Sequence, residues 1–212
     1  MLAAVGRVFG SRRAGHKKKS EESRQQVLDA AISVIAKAGI AGTTVQDIAS
    51  EAGLSKGAVH YHFESKDELL ERVLDRCCEL MEARIVAVFE SGGSPLERVR
   101  RVLAEMWRVR RDGIPEVRVL SELHVLARQN RRLRKSFADA LERNRQQMIS
   151  SGIDHLLAAG AKLRVSVDVV PRLVLASLDG LMLQHEISPI TPETEREILH
   201  ALETVTLALV EI

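Results

Sequence analysis

Between residues 43 and 66 the chain gathers side chains suited to reading base edges and phosphate oxygens: Thr43, Thr44, Gln46, Ser55, Lys56, Gly57, Ala58, His60, Tyr61, His62 and Lys66. Lysine can donate to guanine, glutamine and histidine both donate and accept, and tyrosine adds an aromatic edge. This is the chemistry of recognition, not of bond breaking. His60 and His62 are two apart, so on a helix they diverge by about 200° and cannot share a metal. No HExxH run and no cysteine–histidine zinc spacing occurs. No catalytic residue, metal or cofactor is assigned, and the chain is expected not to be an enzyme.

Such side chains read a groove only from a rigid mount, and residues 44–66, TVQDIASEAGLSKGAVHYHFESK, encode one. Thr44 caps a first short helix with Asp47 three residues on. Ile48 and Ala52 give that helix its inward face, and small Ala49 lets a second helix cross closely. Gly53 ends it, because a residue just past a helix end often needs positive φ. Leu54 plugs the corner, Ser55 caps the second helix, and Val59 and Phe63 anchor it inward. The face left outward holds Lys56, Gly57, Ala58, His60, Tyr61 and His62, which suits a recognition helix in the DNA major groove.

The run GTTVQDIASEAGLSKGAVHYHFESKDELL resembles the N-terminal signature of the TetR family of bacterial transcriptional regulators, and SRQQVLDAAISVIAKAG before it resembles that family's first helix. The likeness covers residues 20 to about 75. It departs at Ala58, where the family usually has Thr, at Val59 for Leu, and at His60 for the first Tyr of the aromatic run. The resemblance implies a ligand-responsive regulator, with a continuous helix tying a DNA-binding head to a helical body that shifts with it.

Periodicity and caps predict about nine helices and no strands, an all-α chain. The first runs from Ser20 to Ala38, and the fourth starts at a Ser65/Glu68 capping box and reaches about Ser91. Ser94, Pro95 and Glu97 open the fifth, and a long charged helix spans about Arg131 to Ala159. Pro171 sits in the first turn of the eighth, and Thr191 and Pro192 open a ninth that runs to the C-terminus. Three regions result: a basic, disordered extension over 1–19, a helix-turn-helix domain over 20–70, and a helical ligand-binding and dimerisation domain over 71–212.

Charge sharpens this division. Residues 1–19 carry Arg7, Arg12, Arg13, Lys17, Lys18 and Lys19 and no acid, whereas residues 20–66 hold four basic and six acidic side chains. The head is therefore not a basic domain, and phosphate contact is expected locally, from Lys66 and the capped starts near Thr44, Ser55 and Ser65. Base reading falls first to Lys56 and Gln46, with Tyr61 and His62 beside them.

The 212 residues are 45% hydrophobic and 3% aromatic with a net charge of +2, a balance that favours helices around a sizeable core. Adjacent Cys77 and Cys78 make neither a disulfide framework nor a metal hook and fit a reducing, cytoplasmic setting. Charges interrupt the longest apolar stretch, 167–183, so no membrane span is expected. The last two helices are apolar on more than one face, which predicts a homodimer built on them and a palindromic operator with half-sites about 34 Å apart. Trp107, His124 and Asp179, large or polar residues in apolar stretches, are candidates for a small-molecule pocket. Arg98, Arg101, Arg108 and Arg111 read as a solvated face beside acids, or as cations that an anionic ligand could use. The leading expectation is a repressor on double-stranded operator DNA, released by a small-molecule effector. The alternative is a helical ligand-binding or interaction protein with little sequence-specific DNA binding.

Overall fold

The computed structural model describes residues 5–158 and 160–211. Ten α-helices follow in order: α1 (Val5–Ala38), α2 (Val45–Glu51), α3 (Lys56–His62), α4 (Lys66–Glu90), α5 (Pro95–Arg111), α6 (Pro115–Ala127), α7 (Arg131–Met148), α8 (Asp154–Ala158), α9 (Val169–Ile187) and α10 (Pro192–Ala208). The all-α expectation holds, and the added strands are minimal. Lys162–Leu163 (β1) pairs antiparallel with Val210–Glu211 (β2). That pair ends α10 short of the C-terminus, where a continuous helix had been expected.

Local signals in the sequence account for the boundaries. Thr44 and Asp47 form a capping box at α2, and Ser94 and Glu97 form another behind Pro95 at α5. The Ser65 hydroxyl accepts the Glu68 N–H, but the Glu68 carboxylate takes the N–H of Glu64, one residue further back than a capping box would place it. Gly53 turns the chain at φ +66°, as the corner demanded. Gly42 is required by space instead, since a Cβ there would lie 2.5 Å from the Ala38 carbonyl oxygen.

Two differences concern the long helices. α1 begins at Val5, so residues 5–19, expected as a disordered extension, continue the first helix without a break; residues 1–4 lie outside the described residues. No proline interrupts that stretch, and a basic, acid-free composition does not by itself oppose a helix. The long helix expected over 131–159 is instead broken by a π-helical turn at Ile149–Ile153 between α7 and α8. Ser150 and Ser151 both donate to the Gln147 carbonyl, at 3.2 and 2.6 Å, and Gly152 follows them. Hydroxyls bonded back to a carbonyl loosen the helical ladder, and glycine leaves it unsupported.

Packing joins head and body. One core runs from Val27, Ala31 and Ile35 of α1 through Ile48, Ala49, Val59 and Phe63 to Leu70, Val73, Leu74 and Cys77 of α4. It continues into the body at Val119 and Leu123 of α6 and Leu133 and Ala140 of α7. A second core gathers Leu103, Met106 and Trp107 of α5 with Val174, Leu175 and Leu178 of α9 and Leu202 of α10. α4 is the shaft between them. No described helix is long and apolar enough to cross a membrane.

Candidate nucleic-acid interface and ligand cavity

α2 and α3 are seven residues each, too short to hold their shape alone, so α1 and α4 must fix them. Ala49 is completely buried, as a close crossing requires, and Val59 and Phe63 turn inward. Glu51 at the end of α2 accepts the Ser33 hydroxyl at 2.7 Å and Lys37 Nζ at 3.4 Å, both from α1. These partners, the Ser33 bond first, hold its carboxyl below the usual range. Asp47 is lowered likewise by its bonds to Thr44. The mount is rigid where the sequence said it should be.

What it presents is narrower than the sequence suggested. Lys56, Gly57, His60 and Tyr61 are exposed together on α3, with Tyr61 74% exposed, and Gln46 is exposed on α2. Ala58 is half-buried, its N–H given to Ser55 Oγ at 3.1 Å. Thr44 is exposed, but its N–H and hydroxyl both donate to the Asp47 carboxylate. Three candidates are held by partners within the head. Thr43 is 4% exposed and its hydroxyl donates to the Gly39 carbonyl. His62 Nε2 lies 3.0 Å from Ser23 Oγ on α1, and its ring packs edge-on to Phe63. Burial, followed by the charge of Arg24, lowers its pKa and favours the neutral ring. Lys66 Nζ donates to the carbonyls of Ile40 and Thr43, at 3.2 Å each, and so staples the α1–α2 turn.

The same turn is held from the body, where Glu122 Oε2 of α6 accepts the Ile40 N–H at 3.3 Å. Sequence reasoning missed this contact, which joins groups far apart in the chain. It also passed over Gly53-x-Ser55-x-Gly57, which has the spacing of a nucleophile elbow. Here the serine follows a helix rather than a strand, and its oxygen is occupied as the α3 cap.

In the body, a cavity of about 340 Å³ opens between α4, α5, α7 and α9. Met81, Ile85, Val86, Met106, Ala140, Met148 and Leu175 give its apolar wall, and Cys78 adds a thiol. Asp75, Glu79, Glu82, Arg110, Arg143, Asn144, Gln147 and Ser151 of the π-helical turn supply polar groups. Trp107, His124 and Asp179, the expected pocket residues, are not among them. Trp107 is 2% exposed and core-packed, its indole N–H donating to Glu195 Oε1 at 2.8 Å. His124 is exposed and rests edge-on against Phe137, 5.2 Å between ring centres. Asp179 stands behind the wall, accepting Arg110 Nε at 2.8 Å.

Most α5 arginines are spoken for in the same way. Arg108 pairs with Glu105 and Asp112, Arg111 with Asp112 and Glu195, while Arg98 and Arg101 donate to the carbonyls of Gly93 and Gly92. They form the braced face, not an open anion site. Cys77 is fully buried in the head-side core and Cys78 is half-buried in the cavity wall. Burial pushes both thiols up, Cys78 to about 11, so neither is poised as a thiolate. Among the described residues, no three His, Cys, Asp or Glu side chains cluster as metal ligands.

Comparison with known proteins gives this geometry its context. The profile described as bacterial regulatory proteins, tetR family, matches residues 27–73. The chain is 27% identical over 176 residues to the HTH-type transcriptional regulator PksA of Bacillus subtilis, covering 83% of this chain and 84% of that one. It is 28% identical over 174 residues to the HTH-type nicotine-responsive transcriptional repressor HdnoR of Paenarthrobacter nicotinovorans, covering 81% and 87%. A solved transcriptional regulator from Rhodococcus superposes with a TM-score of 0.72 at 25% identity, over 89% of this chain and 98% of that one. The braced helix-turn-helix on its α4 shaft, matched by profile, relatives and structure alike, places the chain in the TetR family of bacterial, DNA-binding transcriptional regulators.

Proposed function

We propose that this chain is a homodimeric repressor that holds a palindromic operator and lets go when a small molecule fills the cavity between α4, α5, α7 and α9. The observation that carries the reading is the outward face of α3. Lys56, His60 and Tyr61 stand clear of the core while Val59 and Phe63 fix the helix from behind. Lys56 reads guanine, Gln46 reaches the adjoining edge from α2, and Tyr61 and His60 contact the backbone or a thymine methyl. Thr43, His62 and Lys66 position the head and touch no DNA. The body starts at about residue 71, inside α4, and the protein acts in the cytoplasm by binding, not catalysis.

A second copy completes the molecule. α9 and α10 leave Leu183 55%, Ile187 88% and Val205 50% exposed, a run of apolar side chains that one chain does not cover. Pairing these helices across a two-fold axis sets two α3 helices one DNA turn apart. The effector and the repressing sense rest on likeness to a nicotine-responsive repressor that matches over most of its length. Release follows if the ligand favours a body in which the α4 shafts no longer match the groove spacing.

Fluorescence anisotropy on the DNA upstream of the protein's own gene tests the reading. Saturable binding at near-physiological salt that survives scrambled competitor supports it. Equal binding to both DNAs, lost as salt rises, leaves only charge attraction and overturns it.

A further inference from the structure

We infer that the cavity takes a small organic cation, whose charge is met by Glu82 and Glu79 and whose apolar body lies among Met81, Met106 and Met148. The inference rests on the proposed role of this cavity and names the chemistry of its occupant. At about 340 Å³ the space is near the lower end for small-molecule sites. Three of the chain's five methionines line it. Their unbranched, polarizable side chains mould around irregular shapes and favour no single geometry. The walls therefore select for size and apolarity, and the ionic groups select for charge.

Those groups do not balance. The lining holds three carboxylates, Asp75, Glu79 and Glu82, against two guanidinium groups, Arg110 and Arg143. Both arginines are already committed. Arg143 donates to Asp75 Oδ1 at 2.8 Å, and Arg110 donates to Asp179 at 2.8 Å and to the Met106 carbonyl at 3.0 Å. Glu79 has a loose partner in Arg76, at 3.7 Å, whose Nε is held at 3.0 Å by Asp29. Glu82 has no hydrogen bond or ion pair among the described residues. An anion would have to pull an arginine from its carboxylate, and a neutral ligand would gain nothing from Glu82. A cation gains a pair with the exposed Glu82 without breaking either arginine contact.

The Cys78 thiol lies in the same field. It is raised first by burial, and Asp75, Glu79 and Glu82 all push it further up, with Arg143 the opposing charge. All three carboxylates lie on the α4 side of the cavity lining.

Isothermal titration calorimetry on the full-length protein decides the matter with three probes of similar size: benzyltrimethylammonium, benzyl alcohol and phenylacetate. The cation is expected to bind most tightly, and Glu82→Gln to weaken it about fivefold while leaving the alcohol unchanged. Glu82 is exposed, so the variant keeps the fold, and an unshifted thermal midpoint checks this. Equal or tighter binding of the alcohol or phenylacetate, no binding of any probe, or indifference of the cation to Glu82→Gln overturns the inference. Repeating the titration with operator DNA separates the two proposals. Cation binding that depends on Glu82 but does not release DNA keeps the site and removes its role as the effector cavity.

Discussion

Replacing Lys66 by methionine separates two roles for one cation. The methionine keeps much of the stem and removes the ammonium that donates at 3.2 Å to the carbonyls of both Ile40 and Thr43. Hydrogen bonds from a charged donor contribute about 1.5–3 kcal/mol each when buried, but this lysine is exposed and water competes for it. Roughly 0.5–1 kcal/mol per bond is therefore the working figure, or about 1–2 kcal/mol for the pair. For a chain of this size each kcal/mol shifts the thermal midpoint by about 2–4 °C, so a fall of roughly 2–8 °C is expected. DNA affinity should drop as the α1–α2 turn loosens, yet the slope of log affinity against log salt should stay constant, since no phosphate contact is lost. A lysine on phosphate gives the opposite pattern, a midpoint that does not move and a slope reduced by about 0.9 per subunit. Thermal unfolding and anisotropy at several salt concentrations read both quantities. The second pattern would refute the assignment of Lys66 to the staple.

Three other perturbations follow from the same geometry. Lys56→Ala should leave stability within about 0.5 kcal/mol but relax base preference at one position by about 1–3 kcal/mol, measured by competition among single-base operator variants. His62 has a lowered pKa in the folded chain, so its contribution is complete above the unfolded value near 6.5 and is lost as pH falls below it towards the folded value. The thermal midpoint should therefore decline from pH 7 to 5 more steeply in the natural protein than in His62→Asn, and parallel curves would remove His62 from the α1–α3 latch. Leu183→Glu should place a charge in the α9–α10 pairing surface and reduce the mass seen by light scattering to the 23.5 kDa of one chain; an unchanged dimer would send the interface elsewhere.

The helix-turn-helix was legible because its determinants are local. Thr44 and Asp47, Gly53, Ser55 and Ala49 each act within one or two helical turns, and all behave as their types and spacing required. The contacts the sequence did not show are those between residues far apart along the chain. His62 meets Ser23 across 39 residues, and Lys66 meets carbonyls 26 and 23 residues away, so helical periodicity alone could show neither contact. Trp107 suggested a pocket because it is large within an apolar run, but Glu195, 88 residues on, satisfies its N–H. The cavity gave the reverse error. Asp75, Glu79 and Glu82 recur at four and three residues on α4, a spacing that reads as an ordinary solvated face and does not show that α5, α7 and α9 make it one side of a cavity. The Ser150-Ser151-Gly152 run was the one local sign of the helix break beside that cavity.

The adjacent cysteines mark where head and body meet on α4. Cys77 is sealed in the core shared with α1, α6 and α7, whereas Cys78 faces the cavity. A helix turns about 100° per residue, so one step along the shaft passes from the surface that positions the head to the surface that lines the cavity. From Lys66 to Glu82 the shaft runs roughly 24 Å, and a tilt of about 5° at the cavity would carry its head end by roughly 2 Å. That end holds the α1–α2 turn through Lys66, and Glu122 of α6 grips the same turn at the Ile40 N–H. Because the core around α4 is continuous and close-packed, such a tilt is not absorbed at a hinge between the domains. In a dimer the displacement occurs twice, once in each head. If two α3 helices must match one groove spacing together, as proposed, a shift of a few ångströms from a small ligand would spoil the fit.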